Sequence, residues 1–183
     1  MPSAPRPSPE PTNELSRNCT ERHVSAGKTS IVKALQQQVS APTLHAQIDT
    51  FLGMFDWSMI VANEQKKKCL HVCVENFHAN LAVLATHPFL LIVDHVFEQY
   101  AWFEACQKTL QHRRTYFVGV HCPLPILEER ELARGDRRIG LAKWQLGVVH
   151  LRKPYALEID SSVASPDECA SAIIKFIMNE HAC

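Results

Sequence analysis

Lys28 and Thr29 stand directly after Gly27, at the head of the apolar-periodic run from Ile31 to Val39. A helix start of this kind turns backbone N–H groups and the positive end of the helix dipole toward an anion. In Ser25-Ala26-Gly27-Lys28-Thr29-Ser30 the lysine could reach the outer phosphates of a nucleotide, and the threonine hydroxyl could ligate Mg²⁺. That is the back half of a phosphate-binding loop. The front half departs from it, because the full pattern asks for a glycine five residues before Gly27 and Arg22 stands there. Gly-Lys-Thr also arises by chance, with the lysine no more than a solvated side chain.

Two carboxylates follow apolar runs. Asp49 closes Leu44 to Ile48, and Asp94 closes Phe89 to Val93. In open parallel sheets ligands bind beyond the carboxyl ends of the strands, where both acids would sit. Phosphoryl transfer to a hydroxyl needs a base that positions the hydroxyl and an acid that holds Mg²⁺. Asp49 and Asp94 could fill those two tasks. Each reads equally well as a turn or helix-cap aspartate. A third group is Arg130, Arg134, Arg137 and Arg138 around Gly135. Planar guanidinium donors clamp phosphate oxygens and offset charge developing on a transferring phosphoryl group. As an isolated charge run, the same residues would form a solvated helix end.

The elements that must position these groups alternate in type. Helical periodicity over 28 to 39 precedes a strand at 44 to 48. Phe77, Leu81 and Leu84 share a helix face before Pro88, and 89 to 93 reads as a strand buried on both faces. A helix at 100 to 110, a strand at 116 to 120, helices at 127 to 133 and 141 to 149, a strand at 156 to 159 and a helix from Pro166 complete the order. Such alternation specifies an α/β domain with a mainly parallel sheet. In Phe51, Met54, Phe55 and Trp57 the chain has aromatic and apolar residues that could line an acceptor pocket or simply fill the core.

Composition excludes several classes. Nineteen basic residues balance nineteen acidic ones, so no net field draws the chain to nucleic acid or an anionic membrane. No apolar run reaches the roughly 18 to 20 residues of a membrane span, and no secretory leader opens the chain, so a cytoplasmic protein is expected. Seven cysteines, an odd number at scattered positions, read as reduced thiols, and Cys69 with Cys73 lacks a second pair for a metal. A small-molecule partner is expected, with self-association left open.

Residues 1 to 24 form a separate segment. Five prolines fall in the first eleven positions, and such a stretch buries too little apolar surface to offset its ordering entropy. The domain is therefore placed at 25 to 183.

From Ser25 to the C-terminus the chain resembles the chloramphenicol phosphotransferase-like family of P-loop kinases. The resemblance rests on SAGKTSIVKALQ at 25 to 36, QIDTF at 47 to 51 and LLIVDHVF at 90 to 97. It continues through VGVHCPLPILEERELARGDRRIGLA at 118 to 142, QLGVVH at 145 to 150 and YALEIDSSVASPDECASAI at 155 to 173. It implies a three-layer P-loop kinase fold and transfer of the γ-phosphoryl group of ATP to a hydroxyl, with Mg²⁺; in the named member the acceptor is the antibiotic chloramphenicol. Asp49 matches the family's proposed base. Ser25 to Ser30 match the phosphate loop, with Lys28 and Thr29 its ATP and Mg²⁺ contacts. Arg130, Arg134 and Arg137 fall in or beside its lid, and Ser161 and Ser162 lie near the adenine end. Segment 51 to 80 matches less well, which leaves the acceptor open. Alternatives are a kinase of the nucleoside or sugar-acid type, or a silent nucleotide-binding protein.

In that fold a central strand feeds the phosphate loop, and it should be a continuous apolar run. Here Asn13 to His23 offers almost nothing to bury. The first strand is thus expected to be missing or replaced. An alternative start, a decayed sequence or a relative that no longer turns over would each account for it.

Overall fold

The computed structural model describes residues 26–134 and 141–182. The expectations for residues 1 to 24, for Ser25 and for Arg137 lie outside the described residues, as does the side chain of Arg134. In chain order the elements are α1 (Lys28–Gln38), β1 (Thr43–Gln47), α2 (Ile48–Leu52), α3 (Asn63–Leu84), β2 (Leu90–Asp94), α4 (Tyr100–Leu110), β3 (Val118–His121), α5 (Leu124–Arg134), α6 (Leu141–Val149), β4 (Leu157–Asp160) and α7 (Pro166–Ala182). A short 3-10 turn at Trp57–Met59 lies between α2 and α3.

Among the described residues the strands form two parallel ladders. β1 pairs with β2, setting Gln47 opposite Asp94, and β3 pairs with β4, setting His121 opposite Asp160. Both ladders rest on the same helical layer. Ile31, Leu35 and Ile173 of α1 and α7 pack against Ile92 of β2 and against Val118 and Val120 of β3. Above the ladders, Phe77, Trp102, Cys106 and Leu110 form a second core that touches Leu91 and Val93 of β2 and also Phe117. That is a three-layer arrangement, compatible with a P-loop kinase-like fold.

Local chemistry sets the boundaries. Gly27 precedes α1 with φ +78°, a left-handed conformation that a Cβ disfavours. At the other end of the chain, Ser165 and Glu168 form a reciprocal capping box. The Ser165 N–H donates to Glu168 Oε2 at 2.8 Å, and the Glu168 N–H donates back to Ser165 Oγ at 3.3 Å. Gln38 at the end of α1 donates to the Asp167 carbonyl at 3.0 Å, which fixes α1 against α7. Arg113 closes the α3 to β2 turn by donating to the carbonyls of His87 at 2.7 Å and Phe89 at 3.0 Å.

Two details differ from the sequence reading. Strand β1 ends at Gln47, and Ile48 begins a helical turn, so Asp49 lies in the first turn of α2 rather than at the end of a strand. An acid there complements the helix dipole. Strand β2 was expected to be buried on both faces, yet Leu90 is 41% exposed, and the residues of this strand line a cavity.

Candidate active site

Helix α1 carries the phosphate-loop residues, and its register decides what they face. Gly27 hands the chain to the helix, and its carbonyl accepts the first helical bond from the Ile31 N–H at 3.0 Å. The first turn of amides, at Lys28, Thr29 and Ser30, therefore stands at the helix head. Apolar Ile31, Ala34 and Leu35 bury the opposite side of α1 and hold its head at the carboxyl ends of the strands.

The most informative contact is between Thr29 and Asp94. The Thr29 hydroxyl donates to Asp94 Oδ2 at 3.1 Å, across 65 positions of sequence. Asp94 is buried at the end of β2, whereas Thr29 is exposed. A hydroxyl and a carboxylate meeting at a helix head form an all-oxygen donor pair, the ligand chemistry that Mg²⁺ prefers. Among the described residues, no group of three or more His, Cys, Asp or Glu forms a metal cage. Mg²⁺ in nucleotide sites is held by one or two protein oxygens plus phosphates and water, so no larger protein cage is required of such a site.

A second group of expected residues comes together on the outer side of α1. Gly27, Ser30, Arg130, Ser161 and Ser162 line one cavity of about 600 Å³ with Val163 to Pro166 and Cys169. Arg130 Nη1 lies 4.0 Å from the place a Cβ on Gly27 would take, and Nη2 donates to the Ser161 carbonyl at 2.9 Å. The same guanidinium approaches Cys122 Sγ at 3.6 Å. Ser161 is buried, and its hydroxyl donates to the His121 carbonyl at 3.1 Å, which ties the end of β4 to the end of β3. Ala26 is buried and lines a different cavity, with Lys28.

Lys28 is partly buried and acts on two histidines. His95, next to Asp94, has its pKa pushed down to about 3, first by burial, then by His78 and Lys28. His150 is lowered to about 4 by burial, with His121, Lys28 and Lys153 adding to the effect. His78 Nε2 meets His95 Nε2 at 3.1 Å, one ring donating to the other, and burial lowers His78 as well. At neutral pH these three rings are therefore uncharged. The lysine supplies positive charge beside a neutral imidazole wall. Sequence reasoning passed over these histidines. His95 and His150 appear only inside the quoted blocks LLIVDHVF and QLGVVH, and nothing in a single sequence pairs His95 with His78.

Asp49 is half-buried in α2, just beyond Gln47, which the ladder register sets opposite Asp94. The two acids thus lie at the same end of the β1–β2 ladder. The four expected acceptor residues separate. Trp57 is buried in the core with its indole N–H donating to the Leu52 carbonyl at 2.6 Å, and Phe51 packs edge-on against Phe77 at 5.4 Å. Phe55 is half-buried 5.8 Å from Trp57, and Met54 is 68% exposed. Core packing accounts for the aromatic three; the Met54 side chain projects outward. Arg134 ends α5, at the mouth of the segment toward α6.

Comparison with known proteins assigns the arrangement. A model of the chloramphenicol phosphotransferase-like protein family matches residues 22–178, most of the chain. No curated protein matches. The chain belongs to the chloramphenicol phosphotransferase-like family, a family of kinase-like phosphotransferases.

Proposed function

We propose that this family member transfers the γ-phosphoryl group of ATP to a hydroxyl of a small molecule, with Mg²⁺ as cofactor. The observation that carries the reading is the Thr29 to Asp94 bond at the head of α1, beside the left-handed Gly27. It puts a hydroxyl, a buried carboxylate and a row of helix-terminal amides in one place. Those groups serve a metal and a polyphosphate together.

The roles follow from chemistry. The amides at the head of α1 and the Lys28 ammonium bind the β- and γ-phosphates. Thr29 and Asp94 would hold Mg²⁺, which offsets charge on the phosphate oxygens when bound. Arg130 and the Ser161–Ser162 turn line the adjoining cavity, which takes the nucleoside end. Asp49 accepts the proton of the acceptor hydroxyl. A new oxygen–phosphorus bond forms, the bridging bond to the β-phosphate breaks, and ADP leaves with the electron pair. Arg134 and Arg137 would supply donors to the transferring group from the segment between α5 and α6. The acceptor class is an alcohol, with chloramphenicol and nucleosides or sugar acids as the compounds to screen first.

The test has two stages. Millimolar ATP with Mg²⁺ should raise the melting temperature, increasingly so above the dissociation constant, and Lys28→Ala should remove most of that shift. Radiolabelled γ-phosphate should then appear on a hydroxyl acceptor. Absence of any thermal shift in a folded sample would overturn nucleotide binding. A shift without transfer to any screened acceptor would favour the silent nucleotide-binding alternative.

A further inference from the structure

Gln145 is the most deeply enclosed polar side chain among the described residues. It is 0% exposed in α6, although Lys143 and Trp144 before it and Leu146 after it are exposed. An amide carries both donors and acceptor lone pairs, and full burial obliges it to find partners inside the protein. Its Nε2 does so, donating to Glu98 Oε1 at 2.9 Å. Its Oε1 is buried and accepts no hydrogen bond among the described residues. Glu98 dictates that orientation, since a carboxylate accepts from the NH₂ group and repels a carbonyl oxygen. A buried acceptor without a donor costs stability that an apolar side chain of the same size avoids, so an oxygen kept there points to a donor that arrives from outside the fold.

The surroundings of Gln145 say which molecule brings that donor. It lines a cavity with Lys28, Asp94 and His95, the last two at the carboxyl end of β2. Glu98 belongs to the loop between Asp94 and α4, and its N–H donates to the Val96 carbonyl at 3.1 Å. The Gln145–Glu98 bond spans 47 positions of sequence and ties α6 to the loop that follows Asp94. Phe97 of that loop and Phe51 of α2 pack against one core cluster, and α2 carries Asp49 in its first turn. The cavity assigned to the nucleoside end is lined by Gly27, Arg130 and Ser161, and Gln145 is not part of its wall. The open oxygen therefore belongs to the acceptor side.

We propose that Gln145 selects the acceptor: its Oε1 accepts a hydrogen bond from a second donor on that molecule, a hydroxyl or amide N–H besides the hydroxyl that is phosphorylated. The acceptor class is then a polyol or an amido alcohol, and a simple apolar alcohol is rejected. A molecule with the second donor completes the amide, whereas an analogue without it seals the same oxygen away from water with no partner. Glu98 is a positioning residue, because it acts through Gln145 by holding the carbonyl toward the acceptor. The inference rests on the phosphotransfer reading and narrows its substrate.

The full chain is assayed with each compound that the parent protein phosphorylates and with the analogue lacking the second donor, deoxy for a hydroxyl and N-methyl for an amide. The parent should prefer the complete acceptor by about 10²-fold or more in kcat/KM. Gln145→Met nearly keeps the side-chain volume and loses the oxygen, so the preference should drop below about tenfold while ATP affinity is unchanged. Glu98→Ala releases the amide and should also lose the preference; this variant carries the test if Gln145→Met does not fold. Glu98→Gln still offers an oxygen to the Gln145 NH₂ group and should retain it. Loss in both Glu98 variants assigns the selection to the Glu98 charge and overturns the role of Gln145. A preference that survives Gln145→Met or Glu98→Ala overturns it too, and leaves Gln145 as a core amide satisfied by a buried water. A parent that phosphorylates both members of each pair equally well overturns this inference alone, whereas a parent that phosphorylates no screened acceptor overturns the phosphotransfer reading and this inference with it.

Discussion

Thr29 and Asp94 illustrate what a residue pair gains from position. Each alone is an ordinary polar side chain; 3.1 Å apart at a helix head they bring together two oxygens of the kind a hard cation prefers. Thr29→Val keeps the size and removes the hydroxyl, so the Mg²⁺-dependent part of ATP affinity should fall while the fold survives. Titration of ATP binding at fixed Mg²⁺ reads this, and unchanged affinity would remove Thr29 from the metal role. Asp49 makes a different prediction. If it takes the acceptor proton, Asp49→Asn should lower turnover by about 10²- to 10⁴-fold and leave ATP affinity in place. Full turnover in that variant would count against the base assignment. Type and spacing singled out Gly27, Lys28 and Thr29, and the structure sets them at the head of α1. Trp57 was not legible, because an aromatic near an acidic strand end looks the same whether it lines a pocket or fills a core. Its burial and its bond to the Leu52 carbonyl settle it as core.

Elements were legible where their pattern is strong. Helix α1, strand β2 and helix α4 lie within a residue or two of their expected bounds, since each carries a clear period or an unbroken apolar run. The run after Gln47 was harder: Ile48 to Leu52 is apolar enough to extend a strand, yet it turns into α2 as the chain leaves the sheet toward α3. Strand β3 offers the sharpest element-scale test. A Cβ placed on Gly119 would lie 2.6 Å from Cδ2 of the Tyr155 ring, closer than packed carbons come. Tyr155 is held in turn beside His150, with 3.1 Å between its hydroxyl and His150 Nδ1. Gly119→Ala should therefore destabilise the protein by about 1–3 kcal/mol through overpacking. Urea unfolding reads the change, and an unaltered midpoint would mean that the ring moves aside freely.

Across the whole molecule, buried histidines couple stability to pH. His78 and His150 both have pKa values below the ordinary 6.5 because burial disfavours the imidazolium, His150 at about 4. In the unfolded chain both take up a proton near 6.5; in the fold they do not. The unfolded state then binds more protons between those values, so stability rises with pH through this range and is lost on acidification. Each proton of difference is worth about 1.4 kcal/mol per pH unit at most. The melting temperature should hold above pH 7 and fall from about pH 6.5 toward pH 4. A melting temperature flat across that interval would show that the rings are protonated in the fold.

The balanced charge, the alternation of strands and helices and the start of a helix at Lys28 were set by sequence, because composition and local period act within a few turns of chain. No helix among the described residues is long and apolar enough to cross a membrane, in keeping with the run lengths of the sequence. Three things were left to the tertiary structure. It paired Thr29 with Asp94 across 65 positions, set His78 against His95, and grouped the described strands into two parallel ladders. Those outcomes depend on which distant backbone edges and side chains meet once the layers pack. A single sequence fixes the faces each element must bury, and only the packed layers decide which neighbour covers them.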